Sequence, residues 1–173
     1  MAVRACGEAI RDAGIAKKDI EAFFLGNYLS GMLLGQETIA PMVAYSLGLK
    51  ENMAAVKVEG ACCSSSIGLR MGYLLIASGV HDIVLVAGGE KMTSEPTPKV
   101  TRALAAAMDP VSEGGTGFTY PGFFALVANR YMHEYGATIE QIGMVSVKNH
   151  NNSVSNPRAR FRHHLFYSYG SWW

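Results

Sequence analysis

The chain has 173 residues, enough for one ordinary domain with a real core. Hydrophobic residues make up 49% and charged residues 17%, which excludes a disordered polymer. A formal net charge of +1 offers no basic excess for nucleic acid, and the local cluster "RARFRHH" reads as a solvated face. Three cysteines, two of them adjacent, do not make a disulfide framework and point to a reducing, cytoplasmic setting. With no apolar run of about 18 residues, no membrane contact is expected. With no CxxC pair or HExxH element, no metal site is expected either.

The opening "MAVRACGEAIRDAG" lacks the apolar centre of a signal peptide and reads as an amphipathic helix stopped by Gly14. "IEAFFLGNY" is a short apolar run with the look of a buried strand, followed by a loop marked by Gly26, Gly31 and Gly35. "ETIAPMVAYSLGL" predicts a helix with an early proline, ended at Gly48. "MAAVKVEGA" predicts a strand, residues 64–78 a helix closed by Gly79, and "HDIVLVAGGE" a strand covered on both faces. This alternation of helix and strand predicts an α/β layer structure with a mostly parallel sheet.

Beyond Glu90 the character changes. Prolines crowd the next thirty residues and "EGGTG" interrupts them, as expected of an inserted loop subdomain. Residues 124–135 read as a helix, and Thr138 and Gln141 form a variant capping box. The domain expectation is an α/β part over residues 1–92, a loop subdomain over 93–148, and a return segment with an atypical tail over 149–173. "HHLFYSYGSWW" has neither helix nor strand periodicity, and a truncation or reading-frame accident is the expectation for it.

The chemistry concentrates in "KVEGACCSSSIGLRMG". A cysteine where a strand turns into a helix lies near unpaired N–H groups and the positive end of the helix dipole, which favour an anion. Such a thiolate is a good nucleophile. The small residues Cys63, Ser64, Ser65 and Ser66 would let a substrate approach the backbone, whose N–H groups could hold an oxyanion. The competing reading is that the pair fills a tight helix–strand contact, since free cysteine is often buried. The residues alone leave both readings open.

"VEGACCSSSIGLRMGYLLIASGVHDIVLVAGGEKMT" resembles the nucleophile region of the thiolase superfamily, and "YMHEYGATIEQIGMVSVKNHNNSVSNPRARF" is similar to its sterol-carrier-protein-type and archaeal acetyl-CoA acetyltransferase branch. The resemblance implies a thiolase-like layered α/β fold with a mostly parallel mixed sheet, represented by its N-terminal half plus the loop subdomain. It places the acyl-accepting nucleophile at Cys62, whose own N–H would serve the oxyanion, with Ser64, Ser65 and His150 as substrate-binding candidates. Ser65 stands where many members carry glycine. The implied activity is Claisen condensation or thiolytic cleavage of acyl-CoA through a cysteine thioester. Coenzyme A would arrive as part of the substrate, with no separate cofactor or metal. The partner implied is a second copy, in a homodimer formed through the strand that leads into the nucleophile, residues 54–60.

Members of the family also have a first strand, a Gly-His-Pro histidine and a second acid/base cysteine, and none of these motifs occurs here. Of the five histidines, His81 reads as a surface residue, His133 as packing, and His163 and His164 belong to the basic cluster. The expectation is a partial chain with little activity alone. The alternatives are a ketoacyl-synthase-type condensing enzyme, or an incompetent fragment held by another subunit.

Overall fold

A computed structural model describes residues 1–168 together with residues 171 and 172. The chain divides into two compact units, Met1–Thr116 and Gly117–Trp173. The boundaries expected from composition, after residues 92 and 148, fall elsewhere. Helix Thr97–Leu104 buries Ala103 against Leu29 and Leu33, which ties residues 93–104 to the first unit. Helix Ile139–Ser153 runs unbroken across position 148.

In the first unit, α1 (Ala2–Asp12) leads to β1 (Ala22–Gly26), a short α2 (Ser30–Leu34), α3 (Ile39–Leu47), β2 (Ala54–Val58), α4 (Ser64–Ala77), β3 (Val84–Gly88) and α5 (Thr97–Leu104). The strands form one sheet in the order β2-β1-β3, and both ladders are parallel, with Gly26 level with Val58 and with Gly88. β1 is central and all five of its residues are buried, which is why "AFFLG" has no polar alternation. The helix end expected at Gly48 is found, and Gly35, expected as part of a loop, closes α2; both glycines are left-handed.

Successive residues of β1 serve opposite faces. Phe23 and Leu25 join Cys6, Ile10, Ala44 and Leu47 in the core under α1 and α3. Ala22 and Phe24 join Val58 and the flanking Val84, Val86 and Leu75 under α4.

The second unit contains α6 (Tyr120–Tyr135), α7 (Ile139–Ser153) and an antiparallel pair, β4 (Tyr167–Ser168) with β5 (Ser171–Trp172). α6 begins four residues before the expected helix, because Thr119 accepts a hydrogen bond from the Gly122 N–H and Pro121 suits the first turn. The expected capping box is present: the Gln141 N–H donates to Thr138 Oγ1 (3.3 Å) and the Thr138 N–H to Gln141 Oε1 (2.9 Å). In the aperiodic tail, Trp172 belongs to β5, and Trp173 lies outside the described residues. Among the described residues no helix is long and apolar enough to cross a membrane. No group of three or more His, Cys, Asp or Glu side chains among them could hold a metal ion.

Candidate active site

The site starts from the turn between β2 and α4. Ala61–Cys63 form one 3-10 turn before the helix begins at Ser64. Ala61 adopts φ 48°, which costs an alanine about 1 kcal/mol and must be held by its surroundings. Ser64 supplies the hold. Its hydroxyl accepts from the Gly60 N–H (3.0 Å) and donates to the Ala61 carbonyl (2.6 Å). The Cys63 N–H also donates to the Gly60 carbonyl (2.9 Å). Ser64 is 4% exposed, its hydroxyl shapes the turn, and the residue lines the same cleft as Cys62.

The three thiols separate cleanly. Cys6 is buried in the core, and burial pushes its thiol up from its ordinary value. Cys62 and Cys63 are both free and exposed. Of the two, Cys62 lines a cleft of about 270 Å³ at the C-terminal ends of the strands, and Cys63 does not.

Helix α4 reaches this position by an unusually close approach to the sheet. A Cβ on Gly26 would lie 2.5 Å from the Ser65 backbone, and one on Gly88 would lie 1.9 Å from Ser65 Oγ. The glycines at the ends of β1 and β3 therefore make room for Ser65. Farther along, Gly68 and Gly72 rest on Phe24, Val84 and Val86. Ser65 lines the cleft too, so its serine in place of the family's glycine is accommodated.

The wall opposite Cys62 is a polar clamp that the sequence did not reveal. Glu90 Oε2 accepts from the N–H groups of Tyr28 (2.9 Å) and Leu29 (3.0 Å), just ahead of α2. Glu90 Oε1 accepts from Asn27 Nδ2 (2.8 Å), which also donates to the Gly89 carbonyl (2.9 Å). Asn27 Oδ1 in turn accepts from the Ser30 N–H (3.0 Å). Asn27 is 5% exposed, and every polar atom of its side chain is used. The local signal was visible as Gly-Asn after β1 and Gly-Gly-Glu after β3, but the pairing spans more than sixty residues.

Cys62, Ser64 and Ser65 thus come together in the first unit. His150 lies in the second, on α7, with its ring 5.3 Å from His163 and 5.9 Å from Phe161. Its Nδ1 is buried without a hydrogen-bond partner.

A family model described as thiolase, N-terminal domain, matches residues 1–166. The chain belongs to the thiolase family. Its relatives include acetyl-CoA acetyltransferases of two archaea: that of Methanothermobacter thermautotrophicus is 45% identical over 88% of this chain, and that of Methanocaldococcus jannaschii 42% identical over 92%. These matches cover 39% and 40% of the relatives, so this thiolase chain spans about two fifths of the length of the curated relatives it matches. Among solved structures, an acetyl-CoA acetyltransferase from Syntrophomonas wolfei superimposes on 88% of the chain and 40% of its own, with a TM-score of 0.62 at 17% identity. That likeness supports a thiolase-like α/β fold with a parallel sheet.

Proposed function

We propose that this chain carries the nucleophile segment of a thiolase-type acyl-CoA acyltransferase site, with Cys62 as acyl acceptor. The observation that carries the reading is an exposed thiol on a fixed, left-handed turn, opening into a cleft at the strand ends. The archaeal relatives are named for acetyl transfer from acetyl-CoA, which suits a cleft of this size.

In the proposed step, the Cys62 thiolate adds to the thioester carbonyl and the electron pair moves to oxygen. The Cys62 N–H, in the middle of the 3-10 turn, donates to that oxyanion. Collapse re-forms the carbonyl and breaks the bond to sulfur of coenzyme A, which leaves as a thiolate and takes up the proton that Cys62 lost. The acyl group then passes to the carbanion of a second acyl-CoA, or to free coenzyme A in the degradative direction. Ser64 holds the turn, Ser65 seats the helix that carries it, and both line the cleft; His150 is proposed from the family resemblance alone as a polar contact for coenzyme A.

In this reading coenzyme A is part of the substrate, and neither a metal nor a further cofactor takes part. The protein works in the cytoplasm as a homodimer joined through β2, an edge strand whose residues alternate between exposed and half-buried before Val58. Nucleic acid and membranes are not partners.

Among the described residues no histidine lines the Cys62 cleft, so acylation is the step expected of this chain, with slow turnover. Incubation with acetyl-CoA followed by peptide mass spectrometry should place the acetyl group on Cys62 and show none on that peptide in Cys62→Ala. Acetylation of Cys63 in place of Cys62, or of neither, overturns the assignment.

A further inference from the structure

Two cavities in the first unit meet at one wall. The Cys62 cleft lies on one side. On the other lies an apolar cavity of about 250 Å³, lined by Leu25, Leu34, Ile39 and Val43, with Ser30 at its edge. Asn27, Gly89 and Glu90 line both. The Ser30 hydroxyl is buried, 1% exposed, and has no hydrogen-bond partner.

We infer that the Asn27–Glu90 clamp determines specificity at Cys62, limiting the group held there to a short one by closing the cleft off from the apolar cavity. The wall is polar, the cavity behind it is lined mainly by apolar side chains, and five hydrogen bonds fix the wall: three into the Glu90 carboxylate, one from Asn27 to Gly89 and one from Ser30 to Asn27. A growing alkyl chain on Cys62 would have to displace a carboxylate from three N–H donors, and leaving such groups buried and unpaired is expensive. With the clamp opened, the same chain would find an apolar wall on the far side. The inference rests on the proposed role of Cys62, yet the barrier itself is a matter of shape and needs no acyl chemistry to detect.

The test uses iodoacetamide and N-octyl iodoacetamide on the purified chain, with the rate at each cysteine followed by peptide mass spectrometry. Cys63 is exposed and outside the cleft, so it serves as a control within the same molecule. In the native chain Cys62 should disfavour the long reagent relative to Cys63. Glu90→Ala should raise the long-to-short ratio at Cys62 about tenfold, the order at which a pocket discriminates chain lengths, with Cys63 unchanged. Glu90→Gln fills the same space but has one acceptor oxygen where the carboxylate has two, and it should give a smaller rise, about threefold. If the alanine variant does not fold, the glutamine variant carries the test. A ratio at Cys62 that stays fixed in every folded variant, or one that moves equally at Cys63, overturns the inference. Failure of acetyl-CoA to label Cys62, with the alkylation pattern intact, would defeat the acyl-transfer reading and leave the wall standing.

Discussion

The two faces of the sheet are built differently. Under α1 and α3, nine buried residues interlock, Phe23 and Leu25 among them; α1 turns its polar side outward, while α3 exposes Met42 and Tyr45. Under α4 the buried cluster has only Ala22, Phe24 and Val58, and contact is made largely by glycine. The outer side of α4 is apolar as well: Leu69 is 64% exposed and Tyr73 68%. A helix that is hydrophobic all round belongs in the interior of a layered protein. The first face is a finished core, while α4 is a middle layer whose second side invites another surface.

The sharpest way to break this comparison is to truncate neighbouring phenylalanines that point to opposite faces. Phe23→Ala, in the finished core, should cost about 3–5 kcal/mol of unfolding free energy, and Phe24→Ala should fall nearer the lower limit of that range. Urea denaturation of both variants measures the difference. Equal losses would mean that the two faces are equally well packed.

Next in size is the glycine contact. Gly26→Ala puts a methyl group into the Ser65 backbone, which no rotamer change can relieve, and should cost about 3 kcal/mol. Gly89→Ala, where a Cβ meets nothing within 4 Å, should change stability by less than about 0.5 kcal/mol. The same denaturation curves compare the pair.

The open side of α4 should govern association more than stability. Leu74→Glu places a charge on a residue that is 47% exposed, so it should move stability by only about 0.5 kcal/mol while reducing self-association. Sedimentation velocity across a concentration series reads this out. A native chain that stays monodisperse and monomeric would remove the reason for a second layer.

The smallest effect concerns pH at the edge of the sheet. Glu21 Oε2 accepts from the N–H groups of Asp82 (2.6 Å) and Ile83 (3.1 Å), and these hydrogen bonds hold its carboxyl below the usual glutamate range. A group with a lowered folded value stabilises above its unfolded value and loses that contribution as pH falls through the folded one. Glu21→Gln should therefore lower stability slightly at neutral pH, converge with the native chain in acid, and so flatten the acid limb of the stability curve, as thermal melts at stepped pH would show.

Much of this architecture is legible in the chain itself. β1, β2, β3, α3, α4 and the capping box of α7 all follow from apolar runs, glycine stops and local side-chain caps, whereas β4 and β5 fall in a tail without strand periodicity. What escapes such a reading depends on partners distant in sequence. α2 was expected as plain loop, since Glu90, which holds the Tyr28 and Leu29 N–H groups just ahead of it, arrives only when β3 pairs with β1. The assignment of α5 to the first unit depends likewise on Leu29 and Leu33, some seventy residues earlier. At the candidate site, the adjacent thiols and small residues were visible. Which cysteine faces the cleft, and that Ser64 holds the turn, depend on the left-handed Ala61, a conformation that alanine seldom adopts and that its sequence context does not announce.

The notch formed by Gly26 and Gly88 has a mechanical consequence. A helix resting on a smooth glycine surface meets little resistance to sliding along its own axis, because few side chains mesh across the contact. Ser65 limits that freedom: its backbone abuts the end of β1 at Gly26 and its hydroxyl the end of β3 at Gly88, while its outer side stays exposed to the cleft. Cys62 lies three residues ahead of that stop, so the longitudinal play of the sulfur is set at Ser65 rather than by the length of the helix behind it.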